Sequence, residues 1–289
     1  MILVTGATGN VGGQVVRQLH AAGESVRALA RTPGKGAFPE GVEEVVGDLA
    51  DPASLEGAFN GVDAVFLLWP LFSAETAPAV LKAAARHTER VVYLSSTGVD
   101  DTVLEQGDPI NDFHARIERL LAESGLRWTA VRGGGFAAND LGWAEQVRQG
   151  ATSIATPFPD AVRAVVHEGD LAAAAVHVLT APDGGRRHDG RKYPLTGPER
   201  LSDAERIAII GEAVGRPIRA EPMPLEQARA ELIAGGLPQE YADGILGAVQ
   251  EEFAAPGPSE EVRTIQALTG EAPRTYRQWV ADHLADFRP

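Results

Sequence analysis

Cysteine is absent from the 289 residues. That removes disulfides, thiol nucleophiles and thiolate metal ligands together. Long apolar runs are missing as well. No window approaches 18 uninterrupted apolar residues, so no membrane-spanning helix is expected. The opening "MILVTGATGN" has no cationic stretch ahead of its short apolar run and does not read as a secretory leader, which makes a cytoplasmic protein the expectation. Positive charge is scarce, with 26 Lys and Arg against 40 Asp and Glu and a net charge of −14. The deficit is even: residues 1–150 hold 12 cations against 19 acids, and residues 151–289 hold 14 against 21. With neither a basic stripe nor an acidic tail, nucleic acid is not expected as a direct partner. Several motifs are missing too. His20, His87, His167, His177, His188 and His283 show no H-E-x-x-H or paired spacing, so no metal site is expected. "ATGNVGG" lacks the Lys-Ser/Thr of a nucleoside-triphosphate loop, and no G-x-S-x-G elbow marks a serine hydrolase.

What remains is an ordinary globular composition, 44% hydrophobic and 23% charged, in a chain long enough for a sizeable core. Short apolar runs recur through its first two thirds: "ILVTG" (2–6), "SVRALAR" (25–31), "VEEVVGD" (42–48), "DAVFLLW" (63–69), "RVVYLSS" (90–96) and "RWTAVRG" (127–133). Helical patterns separate them, such as the Val11, Val15, Val16, Leu19 stripe that stops at Gly23. Nearly all-apolar strands between helices predict a doubly wound parallel α/β sheet of Rossmann type, covered on both faces. Beyond residue 133 come loops, a strand at Arg163–Val166, a helix capped by Asp170 and the strand "KYPLTG". A capping box at Ser202 and Glu205 follows, and then helices joined by Pro/Gly stretches. The expected division is a dinucleotide-binding core over 1–133, with 163–197 returning to it. Segments 134–162 and 198–289 would form a smaller, mostly helical substrate-binding cap.

"VTGATGNVGG" closes the first strand and opens the first helix. Gly6 permits the tight turn, Gly9 lets backbone approach a pyrophosphate, and Gly12 lets helix and sheet pack closely. With Thr8, Asn10 and Val11, these residues offer an anion the unpaired N–H groups of a helix start. An NAD-preferring site would place an acid at the end of the second strand; here "ALARTPGKG" supplies Arg31 and Lys35. Cations suit a 2′-phosphate, so NADP(H) is favoured over NAD(H). Asp48, after the third strand, is positioned for the adenine amino group, with Leu49 against the ring, or else only caps a turn.

One further stretch is out of place. In "INDFHARIERLLAESG" Ile110, His114, Ile117 and Leu121 share a helix face, three of them aliphatic and one a histidine. His114 is either a buried neutral ring bonded to backbone or a group set beside the chemistry, where it would act in acid–base work or bond a ribose.

These motifs, with "GDLAD", "YLSSTG", "ERLLAESGLRWTAVR" and the tail "YPLTGPERLSDAERIAIIGEAVGRPI", resemble the extended and atypical short-chain dehydrogenases/reductases, specifically their NmrA-like branch. The resemblance implies a Tyr-x-x-x-Lys pair on the helix before the sixth strand and a serine from the fifth. Aligned so, Ser96 takes the serine position, Ile110 the tyrosine and His114 the lysine. The usual phenolic acid is gone. The resemblance also implies cofactor contacts from Leu68, Ser95 and Gly133, and a pocket near Trp69, Phe72, Phe136, Asn139, Trp143 and Phe158, half of them expected to be ordinary core aromatics. The function implied is NADPH-dependent reduction of an apolar, aromatic small molecule: an imine, quinone, ketone or activated alkene. The alternative is a non-catalytic dinucleotide sensor acting through a protein partner. A homodimer is left open.

Overall fold

The structure is a computed structural model that describes residues 1–32, 34, 36–254 and 262–289. Its centre is a seven-stranded parallel sheet. In chain order come β1 (Ile2–Val4), α1 (Asn10–Ala21), β2 (Val26–Ala30), β3 (Glu43–Val46), α2 (Glu56–Phe59), β4 (Ala64–Leu67), α3 (Ala77–Ala84), β5 (Arg90–Ser96), α4 (Pro109–Glu123) and β6 (Arg127–Gly133). The last strand of the sheet, Arg191–Leu195, joins from much later in the chain. Across the sheet the order is β3, β2, β1, β4, β5, β6 and that late strand. Leu3 therefore sits between Arg27 and Val65. The chain winds outward from β1 on one side and from β4 on the other. This leaves a crevice at the carboxyl ends of those two strands, where open α/β sheets take ligands.

Near-continuous apolar strands follow from burial on both faces, and β4 (AVFL) is buried at every position. Strand β3 departs from that expectation. It reads EEVV and is largely exposed, because it is the sheet edge, where no neighbour excludes water. Arg27 reaches across to Glu43 at 3.0 Å. One core joins α1 to the inner sheet face through Val15, Val16, Leu19, Phe66 and Val92. The opposite core joins α3 and α4 to Leu3, Val65, Tyr93, Ile117 and Leu121.

Beyond β6 the chain builds α5 (Ala144–Arg148), β7 (Ser153–Thr156), β8 (Val162–Arg163), α6 (Glu168–Leu179) and β9 (Arg191–Leu195), the seventh sheet strand. It continues through β10 (Leu201–Ser202), α7 (Asp203–Ala213), β11 (Arg219–Pro222), α8 (Leu225–Ala234), α9 (Gln239–Ala254), α10 (Val262–Thr269), α11 (Tyr276–Asp282) and α12 (Leu284–Phe287). Two small sheets pair β7 with β11 and β8 with β10. They pack with α7 and α11 around a third core holding Ile154, Ile207, Ile210 and Trp279. The capping box forms as expected, with Glu205 N–H on Ser202 Oγ and Ser202 N–H on the Glu205 carboxylate.

Two local expectations fail. The strand foreseen at Arg163–Val166 is only Val162–Arg163, and Val166 instead bridges Phe136. Helix α6 is capped by His167, whose Nδ1 accepts from Gly169 N–H at 2.9 Å, and not by Asp170. Asp170 lies in the first turn, buried, and accepts from the backbone N–H and guanidinium of Arg274.

That helix start anchors the C-terminal segment. Buried Glu168 accepts from Trp279 Nε1 at 3.0 Å and pairs with His283 Nε2 at 2.6 Å, while Asp286 lies 2.9 Å from His283 Nδ1. The bond to Glu168, aided by Asp286, raises the His283 pKa despite burial. A raised folded-state pKa contributes stability in full below the unfolded value near 6.5, and the contribution fades as pH rises through the folded value. His283→Gln should therefore lower the melting temperature more at pH 6 than at pH 8.5. Equal losses at both would contradict the pairing.

Candidate active site

At the crevice the chain turns sharply. Gly6 has φ +61°, a left-handed conformation that side chains rarely adopt. A Cβ on Gly12 would lie 2.1 Å from the Gly6 carbonyl oxygen, so the bend closes only with glycine there. Thr5 clamps the end of β1 to that of β4: its Oγ1 donates to Leu68 O and accepts from Leu68 N–H, both at 2.8 Å. Thr8, Gly9 and Asn10 are exposed on the bend, whereas Val11 is buried. Helix α1 starts at Gly9 with no side-chain cap and no acid in its first turn. Its N–H groups and partial positive charge thus face open crevice, and an anion fits there.

Around the bend the foreseen contacts divide. Arg31 is exposed just past β2 and has no carboxylate partner among the described residues. Lys35 lies outside the described residues. Asp48 Oδ1 accepts from Ala50 N–H at 2.9 Å and closes a turn. The Leu49 side chain lies in the α3–α4 core, and its carbonyl accepts from Thr76 Oγ1.

His114 is half-buried one turn into α4, and its Nδ1 lies 2.6 Å from the Tyr93 hydroxyl of β5. The Phe113 ring covers it at 4.2 Å between centroids. Burial holds the His114 pKa down at about 4, with Glu118 opposing weakly. The imidazole is neutral at physiological pH and is no imidazolium acid. Because the folded value is depressed, its contribution to stability is present above about 6.5 and is lost as pH falls toward 4. A proton NMR titration should find the His114 ring unprotonated at pH 5.5; a midpoint near 6.5 would contradict this.

Ser96 ends β5, and its Oγ accepts from Gly98 N–H at 3.1 Å. Ser95 points the other way. It is buried and donates to Glu118 Oε1 at 2.6 Å. Glu118 in turn takes a two-bond fork from Arg132, at 2.9 and 2.7 Å, and Lys192 at 3.2 Å. Burial raises the Glu118 pKa, but the bonds from Arg132 and Ser95 outweigh it and hold it low.

The foreseen pocket aromatics differ in burial. Trp69 is 5% exposed and donates to Ser73 O. Trp143 packs on the cap core beneath the Arg206 guanidinium. Phe136 lies against the α1–α6 core, and a Cβ on Gly133 would meet its ring at 2.5 Å, so that glycine makes room for Phe136. Phe158 is half-buried in a loop; Asn139 is exposed. Phe72 is 48% exposed and its ring meets the tilted ring of Tyr241 of α9, whose hydroxyl donates to the Phe72 carbonyl. Gly244 of α9 also rests on Pro109 and Asp108. Helix α9 thus leans over the carboxyl edge of the sheet. Tyr93 and Glu118 were missed, though both left a trace: Tyr93 alternates with Ser95 on β5, and Glu118 stands four residues after His114.

A family model described as NAD(P)H-binding matches residues 6–182. The chain belongs to that NAD(P)H-binding family. It is 37% identical, over all of both chains, to a (4-alkanoyl-5-oxo-2,5-dihydrofuran-3-yl)methyl phosphate reductase of Streptomyces griseus. It is 33% identical, over 99% of both chains, to an NAD(P)H azoreductase of Xenophilus azovorans. Among solved structures it is similar to an NADPH-dependent quinone oxidoreductase of Escherichia coli, with 25% identity, TM-score 0.76 and coverage of 98% of this chain and 100% of that one. Several of its relatives carry reductase or oxidoreductase names, the two above and a quinone oxidoreductase of Escherichia coli among them. Among the described residues no helix is long and apolar enough to cross a membrane.

Proposed function

We propose that this protein is an NADPH-dependent reductase of electron-poor, apolar small molecules: quinones, azo or imine compounds, and alkenes conjugated to a carbonyl. The observation that carries the reading is the glycine bend before an uncapped helix, with neutral His114 and no phenolic acid on the neighbouring α4 face. Bound nicotinamide supplies a hydride; the residues of this chain hold, orient and cover. The Gly6–Gly12 bend and the start of α1 take the pyrophosphate, and Arg31 takes the 2′-phosphate. Residues 1–133 with 163–197 form the cofactor-binding part. The remaining segments, α9 above all, cover the acceptor.

The missing tyrosine argues for the acceptor class. A simple ketone becomes an alkoxide on reduction and needs an acid at the reacting oxygen. A quinone, azo group or conjugated alkene spreads the arriving charge over a remote heteroatom, which water protonates readily. Printed names of the relatives span that chemistry: an alkanoyl-dihydrofuranone, an azo compound and a quinone. The test is NADPH oxidation against a quinone, an azo dye, a 2-acyl butenolide and an unactivated ketone. Turnover of the first three types over the ketone is expected. NADPH bound tightly but oxidised with none would favour the sensor reading instead.

Cofactor choice gives a separate prediction. A charge-assisted bond to phosphate contributes about 1.5–3 kcal/mol, or roughly tenfold to a hundredfold in affinity. Arg31→Glu should weaken NADPH by at least roughly tenfold while sparing NADH. Equal losses for both would remove Arg31 from the 2′-phosphate site.

A further inference from the structure

We propose that Tyr93 and His114 together form a fixed, neutral hydrogen-bond donor: Tyr93 O–H donates to His114 Nδ1, which keeps the ring proton on Nε2. That N–H then meets the heteroatom of the acceptor on which charge collects. The inference rests on the reductase reading and deepens it.

Tyr93 is fully buried, and its one described polar partner is His114 Nδ1 at 2.6 Å. Were the ring proton on Nδ1, it would donate to the phenol oxygen, and the phenol's own proton would be buried without an acceptor. Such an orphan costs about 1–3 kcal/mol. With the phenol donating, every group at that contact is satisfied. The two partners stay uncharged for the same reason, since burial raises the Tyr93 phenol well above its ordinary range and lowers His114. Glu118, one turn along α4, is the charge that acts on both, and Ser95, Arg132 and Lys192 hold it. Phe113 covers the ring on α4 itself.

Nε2 is left over. It has no partner among the described residues and is not among the buried unpartnered atoms, so it opens outward. Helix α4 runs back from the carboxyl edge of the sheet, which puts His114 one turn below that edge. A neutral imidazole N–H there steadies growing negative charge without giving up its proton. The balance is simple: the donor's C–H bond breaks, a C–H or N–H bond forms on the acceptor, and the electron pair left on the heteroatom takes a proton from water. Tyr93 touches no reacting atom and is a positioning residue.

The test combines long-range nitrogen–proton NMR of ring-labelled, full-length protein with steady-state kinetics on a naphthoquinone. Wild-type His114 should show a protonated Nε2 and a bare Nδ1, unchanged from pH 5.5 to 8. Tyr93→Phe should shift the ring proton toward Nδ1 and lower kcat roughly tenfold, with KM for NADPH within about twofold. His114→Ala should lower kcat roughly a hundredfold, and His114→Gln, which keeps an amide N–H near the Nε2 position, should recover part of it. A proton on Nδ1 in the wild type overturns the proposal, whether or not the variants fold. So does an unchanged kcat in Tyr93→Phe, or a His114→Ala variant that loses NADPH affinity while keeping kcat. An inactive wild type removes the reductase reading and this inference together, whereas an active wild type with an indifferent Tyr93→Phe removes this inference alone.

Discussion

Gly12→Ala should abolish measurable NADPH binding and lower the melting temperature. The added methyl would stand 2.1 Å from the Gly6 carbonyl oxygen and 2.6 Å from its carbon, both backbone atoms that no rotamer change can move. Either α1 withdraws from the sheet or the bend opens. Withdrawal strips contacts from Val15, Val16 and Leu19, all fully buried. Opening scatters the N–H groups meant for the pyrophosphate. Both routes cost several times the roughly 1 kcal/mol that an Ala-for-Gly exchange gains elsewhere in a helix. Gly13 offers the control in the same turn, since a Cβ there meets nothing closer than 3.4 Å. Gly13→Ala should bind NADPH within a few-fold of wild type. Fluorescence titration of both variants decides the matter; a Gly12→Ala protein with wild-type affinity would refute the reading of the bend.

The second large effect concerns stability. Arg132→Met should cost about 3–5 kcal/mol, the penalty for leaving a buried carboxylate without its partner. Glu118 is 3% exposed, and Arg132 supplies both arms of its fork, with Ser95 and Lys192 as lesser partners. For a chain of this length that loss corresponds to a fall of roughly 10 °C in Tm. Adding Glu118→Leu should restore part of it, because an apolar pair removes the orphaned charge. Thermal melts of the single and double variants measure this. A double variant less stable than the sum of the singles would contradict the account.

Much of the molecule could be read from its residues, for identifiable reasons. Strands β4, β5 and β6 announce themselves because a parallel sheet covered on both faces needs uninterrupted apolar runs. Strand β3 weakened that signal because an edge strand is half-wet. The glycine spacing was legible because only glycine tolerates the approach between residues 6 and 12. Side-chain roles were harder. Ser95 and Ser96 are neighbours with opposite fates, since a one-residue step on a strand reverses the face. The sequence alone does not say whether Trp69 and Trp143 serve a core or a pocket, because both ask for the same side chains. The α6 cap is ambiguous for a similar reason: Asp170 has the right chemistry, but His167 has the right place. Nothing local in "VVYLSS" shows that Tyr93 meets a histidine 21 residues away.

If this chain directs hydride from NADPH to an electron-poor acceptor, a label on the cofactor's transferable hydrogen passes into the product. The protein is incubated with NADPH carrying deuterium on the transferable face of C4 and a 2-acyl butenolide, and the product is weighed after exchange in ordinary water. A product heavier by one non-exchangeable deuterium, with matching NADP⁺, is the expected result. NADPH that binds yet is never consumed, with no label in any product, would contradict it.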